Sequence, residues 1–584
     1  MRKTNLMPIA VIAVVAILLS GCAGLQKMKK NAGQIQLNVT PEVLESHANK
    51  VDLAIDGKFP SKYFNKKATI VATPVLTYDG GETAYKPVTL QGEKVEANNK
   101  VISFENGGNF SYKDNLEFSD VMNISDLELR IKATQGKKSL DFEPVKIADG
   151  VLATSNLLVN FPKPILGVVR ENNTTGKYDP YIDEFQRIVP DEMIADIHYL
   201  INSAYLSKDE MRSDDVKEIQ EYTKAAFEAD RKKLKGVEIS AYASPDGELK
   251  HNADLAENRQ ETSTKYFDKE LKDAGIETNL KAKYTPEDWD GFKELMEKSN
   301  IQDKELILRV LSMYTDPDVR EREIKNLSDA FTDVAEDILP RLRRAKIITS
   351  IDLIGKTDEE IATLADSDAA SLNPAELLYA ATLTEDLDKK LAIYSSFSKA
   401  FPKDWRGPNN AGLVLAKQFK FNDAKPLFEK AETLKNDEPI VKNNLGAVAI
   451  FEGDLQNAEI LLGAAAGAGN EVNYNLGMVS VKKADYGQAV RYFSKDADYN
   501  TALAKILTGD NNGALKDLEN FDNPNCFMKE YLKAVIGAHT AKETLLFDSL
   551  TKAVEMNPKL KAKAAKDMNF AKYFADPKFK AIVE

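Results

Sequence analysis

The stretch Tyr242-Ala-Ser-Pro-Asp-Gly-Glu-Leu-Lys-His-Asn-Ala-Asp-Leu-Ala-Glu-Asn-Arg259 decides how the middle of this chain folds. It follows Val237, Ile239 and Ala241, which alternate with Glu238 and Ser240 and so read as a half-buried strand. Pro245-Asp246-Gly247 is a turn signal, since Pro sets φ and Gly accepts φ > 0. From Asn252 the spacing of Leu255, Asn258, Arg259 and Thr262 is helical. Polar groups therefore gather where the turn meets a helix start. Amides there carry partial positive charge, and Arg259 can fork onto an anion, so the stretch suits a carboxylate-bearing ligand.

Working outward, residues 191–356 read as strand, helix, strand, helix, a helical insertion at about 285–340, and a closing strand. Ile197, Tyr199 and Ile201 alternate in the first strand, and Ser213-Asp-Asp215 opens the first helix. Leu306, Leu308, Leu311, Ile324, Leu327, Phe331, Val334 and Ile338 set the insertion's helical phase. Arg343-Arg344 lead into the closing strand at Ile347, Thr349, Ile351 and Leu353.

A strand, a turn with Gly247, then Asn252-x-x-Leu255-x-x-x-Arg259 resembles the OmpA-like peptidoglycan-binding domain. That resemblance implies an α/β fold that grips the diaminopimelate of a peptide stem. An Asp of the motif holds the ammonium and the helix Arg, here Arg259, holds the carboxylate. This chain departs from the pattern: Ser244 occupies the Asp position, and Asp246 lies two residues on as a candidate stand-in. The expected site is Arg259, Asn252, Ser244, Asp246 and Gly247. The alternative is a scaffold in which Arg259 pairs with Asp246 or Glu257.

At the N-terminus, Arg2 and Lys3 precede an apolar core from Ile9 to Leu19, too short for a comfortable membrane span. Leu19-Ser20-Gly21-Cys22 then resembles the lipobox of bacterial lipoproteins. The resemblance implies a signal peptide at 1–21, lipidation of Cys22 and a tether at 22–34. Ala23 after the cysteine implies passage to the outer membrane, and Lys27, Lys29 and Lys30 favour its periplasmic face.

Residues 35–165 read as an antiparallel β-sandwich-like domain. Val51, Leu53 and Ile55 alternate, as do Leu127, Leu129, Ile131 and Ala133. Turn signals fall at Asp56-Gly57, Asp79-Gly80-Gly81, Asn106-Gly107-Gly108 and Gln135-Gly136. Tyr63, Phe64, Phe104 and Phe110 read as core or as a ligand face. Residues 166–190, with Asn172-Asn-Thr-Thr-Gly176, read as a linker.

From residue 373 the pattern is all-helical and repeating. Gly412, Ala424, Phe428 and Ala431 are followed 34 residues later by Gly446, Ala458, Leu462 and Ala465, and then by Gly477, Ala489 and Phe493. Weaker units carry Ala502, Ala514 and Leu518, and then Ala534, Leu550, Ala553 and Pro558; a degenerate first unit covers Leu377 to Pro402. The period resembles tetratricopeptide repeats, so residues 373–558 are expected to form an all-α solenoid capped by 559–584 with Phe570, Phe574 and Phe579. Such arrays present a groove to a protein partner. Asn409, Asn410, Asn443, Asn444, Asn473 and Asn475 precede the repeat glycines; they read either as peptide-backbone ligands or as solvated positions and caps.

The 584 residues thus divide into several domains. A net charge of −13 excludes a general nucleic-acid binder. Cys22 and Cys526 are the two cysteines, and no histidine or cysteine spacing fits a metal, a cofactor or a nucleophile. The expectation is a non-enzymatic envelope lipoprotein that links membrane to peptidoglycan and recruits a protein through its repeats. The alternative is a periplasmic scaffold that has lost wall binding.

Overall fold

The computed structural model describes residues 23–167, 170–172, 177–179, 185–326, 328–493 and 498–584. The apolar N-terminal segment, Cys22, Leu327 and most of the 172–176 loop lie outside these residues. Two units form: Glu184–Leu383, and the preceding chain together with Thr384–Glu584.

In the latter unit, eleven strands form one continuous sheet, its main path starting with Gln36–Thr40, Lys50–Phe59 and Val43–His47. It curls around a single cluster that includes Val51, Leu53, Ile55, Ile70, Leu76, Leu127 and Leu129. Most pairings are antiparallel, but Val145–Leu152 runs parallel to Val43–His47. Tyr63, Phe64 and Phe110 are buried around Phe59, with ring centroids 5.3–5.7 Å from it, so they are core. Three expectations need correction. Asp56-Gly57 is mid-strand; a Cβ on Gly57 would lie 2.0 Å from the Phe110 ring, so close approach rather than a turn requires the glycine. The described part of the expected 22–34 tether, residues 23–34, is not free: Ala23–Lys30 is a helix whose Leu25 and Met28 are buried in the sheet's core. The sheet ends at Leu152, and 154–165 leave the β region altogether.

After the helix Leu387–Ala400, five antiparallel helix pairs follow, beginning with Arg406–Lys417 and Phe421–Leu434 and ending with Phe527–His539 and Glu543–Met556. The repeat glycines sit where paired helices touch. A Cβ on Gly412 would meet Phe428 at 2.8 Å, one on Gly446 would meet Leu462 at 2.9 Å, and one on Gly477 would meet Phe493 at 2.5 Å. Each first helix surrenders its side chain to a large residue of the second, which explains the small-to-large spacing. Phe570 and Phe579 are buried against the last pair and close the array. Pro374–Ala380 belongs instead to the middle unit. Its Glu376 carboxylate meets Lys356 at 2.9 Å, and the Tyr379 hydroxyl donates to Asp358 at 2.9 Å, so the array starts later than residue 373.

The middle unit has a four-stranded sheet in the order Ile188–His198, Arg344–Ile354, Lys232–Tyr242, Leu280–Thr285. The first three are antiparallel neighbours and the last pair is parallel. Helices Asp214–Glu228 and Leu249–Asp273 cover it through Val216, Ile219, Phe267 and Leu271. The first strand starts inside the expected linker and stops at His198; Ile201 is exposed beyond it. Leu280–Thr285 is a strand that the pattern did not announce, because its side chains are mostly solvent-facing. The insertion packs its own core from Phe292, Met296, Ile307, Leu311, Ile324, Val334 and Ile338. The phase differs by one residue at Ile307, which is buried while Leu306 is exposed.

Candidate functional site

The residues expected to grip a ligand do meet at the junction of Lys232–Tyr242 and Leu249–Asp273, but Arg259 is turned inward. It is 0% exposed, and its guanidinium donates to the carbonyls of Ser203 (2.9 Å), Tyr242 (2.9 Å) and Leu200 (3.2 Å). Burial pushes the guanidinium down to about 10, with nearby Tyr199 opposing that shift. The side chain ties the 200–203 loop to the strand end, and it pairs with neither Asp246 nor Glu257. Asp246 hydrogen-bonds the Ser244 hydroxyl and faces Arg343 at 3.6 Å. Arg343 Nε also donates to Ser244 Oγ at 3.4 Å. Asn252 is buried and donates to the Gly247 carbonyl (3.0 Å) and Glu287 Oε1 (3.3 Å), while Trp289 Nε1 donates to the other Glu287 oxygen (2.8 Å). A Cβ on Gly247 would come within 3.2 Å of Asn252 Oδ1. The cluster is thus internally satisfied: an incoming carboxylate would have to displace a backbone carbonyl to reach Arg259. A shallow cavity of about 380 Å³ in this unit lies instead beside Phe185, Arg187, Ile354 and Glu376.

The second candidate is the groove of the repeats. Asn409, Asn410, Asn443, Asn444, Asn475 and Asn500 are each no more than 1% exposed, on the first helices of successive pairs. They line a groove occupied by the chain's own residues 157–167. Asn500 Oδ1 accepts from the Val159 amide and its Nδ2 donates to the Val159 carbonyl, both at 3.1 Å. Asn475 grips Lys163 the same way, at 2.7 and 2.9 Å. Asn444 grips Ile165 at 2.6 and 2.8 Å. Asn410 accepts from the Gly167 amide at 2.6 Å. Asn443 and Asn409 add second donors to the Lys163 and Ile165 carbonyls, at 3.1 and 3.3 Å. Asparagine suits this task because one side-chain amide offers an acceptor and a donor side by side, matching the N–H and C=O of one extended residue. In an extended chain those two groups point to one side at every second residue. The asparagines also bond one another, Asn444 to Asn409 at 2.8 Å and Asn475 to Asn443 at 3.0 Å, which fixes their amide orientations. Every amide group of the six asparagines is paired except Asn410 Nδ2, which is buried without a partner among the described residues. A buried network this connected is rigid, and breaking it is costly.

The sequence placed five of these six asparagines and also named Asn473, which is exposed. Asn500 was missed, although it precedes Ala502 by the same two residues that separate Asn410 from Gly412, Asn444 from Gly446 and Asn475 from Gly477. That spacing is the signal that finds it. No grouping of metal-ligating side chains occurs among the described residues, and no described helix is long and apolar enough to cross a membrane.

The chain therefore carries an all-helical repeat array whose groove holds an extended peptide by its main chain. No protein-family model and no curated protein matches the sequence. Among solved structures, a tetratricopeptide repeat protein from Parabacteroides merdae is 14% identical, covers 43% of this chain and 98% of its own, and has a TM-score of 0.29. YrrB, a TPR protein with an unusual peptide-binding site, is 17% identical, covering 35% of this chain and 94% of its own at a TM-score of 0.21. A variant of Salmonella alpha-2-macroglobulin is 8% identical, covering 93% of this chain and 27% of its own at a TM-score of 0.15. Scores this low add no argument to the helix-pair geometry above.

Proposed function

We propose that this protein is a non-enzymatic interaction scaffold of a bacterial envelope, held at the outer membrane by lipid on Cys22 and facing the periplasm. Its repeat groove organises extended protein segments. The observation that carries this reading is the asparagine ladder on Val159, Lys163, Ile165 and Gly167. It reads backbone rather than side chains, and so is built for a peptide. The middle unit's sheet order and its strand–turn–helix junction support an OmpA-like origin. The closure of Arg259 on three carbonyls favours its use as an assembly surface.

A second reading keeps the peptidoglycan grip. It draws on Asp246 and Arg343, which remain part-exposed at the junction and offer one charge of each sign to a diaminopimelate stem. Sedimentation of the chain lacking residues 1–22 with isolated cell-wall sacculi separates the two. The scaffold reading expects the protein to stay in the supernatant. Co-sedimentation that free diaminopimelate competes, and that Asp246→Ala abolishes, would establish the wall-binding reading instead.

A further inference from the structure

We propose that residues 157–167 are an internal ligand, and that the groove is a selective receptor for extended segments with a proline-flanked lysine. This rests on reading the groove as a peptide site. The asparagines alone are indifferent to sequence, but three other features are not.

The first is the placement of the prolines. The amides of Val159, Lys163, Ile165 and Gly167 are the ones the asparagines take. Pro162 and Pro164 fall between them, where no N–H is used, so both rings are accepted without a lost bond. Each also fixes φ near the extended value and lowers the entropy lost on binding. The second is a cation subsite. Lys163 Nζ lies 3.6 Å from the centroid of the Tyr474 ring and 3.4 Å from Asp498 Oδ2. Both partners are held in place: the Tyr474 hydroxyl accepts from Asn500 at 2.7 Å, and Asp498 Oδ1 accepts from the Thr501 amide and hydroxyl at 2.9 Å. An aromatic face and a carboxylate on one ammonium select a cation over a neutral side chain. The third is apolar: Ile165 is 2% exposed in the repeat core, and the Phe161 ring packs at a tilt against Phe419, with centroids 4.6 Å apart.

The partner class is therefore an extended segment of the type Phe-Pro-Lys-Pro-Ile. The internal copy is covalently attached, and at the roughly millimolar effective concentration typical of short tethers it excludes a foreign segment until displaced.

The test uses a fluorescent peptide of residues 156–167 and the chain from residue 23 with 157–167 replaced by Gly/Ser of equal length, read by anisotropy. The peptide is expected to saturate this chain and to bind the unaltered chain about 100-fold more weakly, as internal competition requires. A Lys163→Gln peptide is expected to bind about tenfold more weakly than the parent peptide. Equal binding of the two peptides overturns the selectivity while leaving the groove reading intact; no binding of either to the folded chain overturns both. If the Gly/Ser chain does not fold, hydrogen exchange in the intact chain decides. Lys163→Gln and Asp498→Asn are each expected to speed the Lys163 and Ile165 amides about tenfold, with no further gain in the double variant. Wild-type rates in both single variants overturn the proposal.

Discussion

Asn444→Ala tests the groove at its most connected point. Asn444 is 0% exposed and makes four hydrogen bonds: to the Ile165 amide (2.6 Å), the Ile165 carbonyl (2.8 Å), Asn409 Oδ1 (2.8 Å) and Asn443 Nδ2 (3.1 Å). Truncation does not orphan all four partners. The Ile165 carbonyl keeps Asn409 at 3.3 Å, and Asn443 keeps the Lys163 carbonyl at 3.1 Å. The Ile165 N–H and Asn409 Oδ1 are left without a partner in a buried place. At about 1–3 kcal/mol for each unsatisfied buried group, and with some relaxation, the loss is about 3 kcal/mol. That corresponds to about 100-fold faster hydrogen exchange at the Ile165 amide.

Asn444→Asp sharpens the test. It keeps an acceptor for the Ile165 amide but turns an acceptor toward the Ile165 carbonyl and Asn409 Oδ1. Burial and these facing oxygens disfavour the carboxylate, so its folded pKa rises above the ordinary value near 4. Stability is then fully present below that ordinary value and is lost as pH rises through the raised folded value. The variant should be at least as unstable as the alanine one at pH 7 and recover in acid, as followed by urea unfolding. Wild-type exchange at Ile165 in the alanine variant, or an aspartate variant as stable as wild type at neutral pH, would refute the ladder's role.

Other outcomes follow from the same geometry. Arg259→Met should destabilise the middle unit by about 3 kcal/mol, because three carbonyls lose a charged donor; an unchanged unfolding midpoint would mean that the clamp is idle. Arg344→Met should cost about 3–5 kcal/mol, since it strands Asp288, which is 4% exposed and bonded to Arg344 at 2.9 Å; adding Asp288→Asn should recover much of the loss. Gly537→Ala should cost about 2 kcal/mol or more, because the new Cβ would lie 2.5 Å from the Leu546 amide nitrogen, which is backbone and cannot swing away; calorimetry would read it. The proposed lipid anchor, which rests on the sequence alone, predicts that Cys22→Ser abolishes incorporation of labelled palmitate and moves the protein from the membrane fraction to the soluble one; unchanged fractionation would refute it.

The sequence carried the repeat pairing and the strand–turn–helix junction because both rest on local spacing. Glycine against Phe428 or Phe493 is a contact between neighbouring helices, so it recurs at a fixed interval. The cluster around Gly247 and Asn252 lies within a few residues of chain. The occupant of the groove left no such mark. Residues 157–167 carry neither helical nor strand periodicity, because both prolines and the side-chain-to-backbone bonding suppress it. They therefore read as the end of a β domain and the start of a linker. Their partners are 243 residues away for Gly167 and 341 for Val159.

By itself, then, the sequence determined which elements form and which residues carry hydrogen-bonding capacity: six asparagines on repeat helices, and an arginine on the helix that follows a turn. Tertiary structure alone decided what those groups face. Arg259 was a ligand candidate until the 200–203 loop brought its carbonyls onto the guanidinium. The asparagines were caps or peptide ligands until an extended segment from elsewhere in the chain lay along them. The physical reason is the same in both cases. A polar side chain declares its donors and acceptors in the sequence, but burial forces each to be paired, and the partner is whichever backbone the fold carries past it.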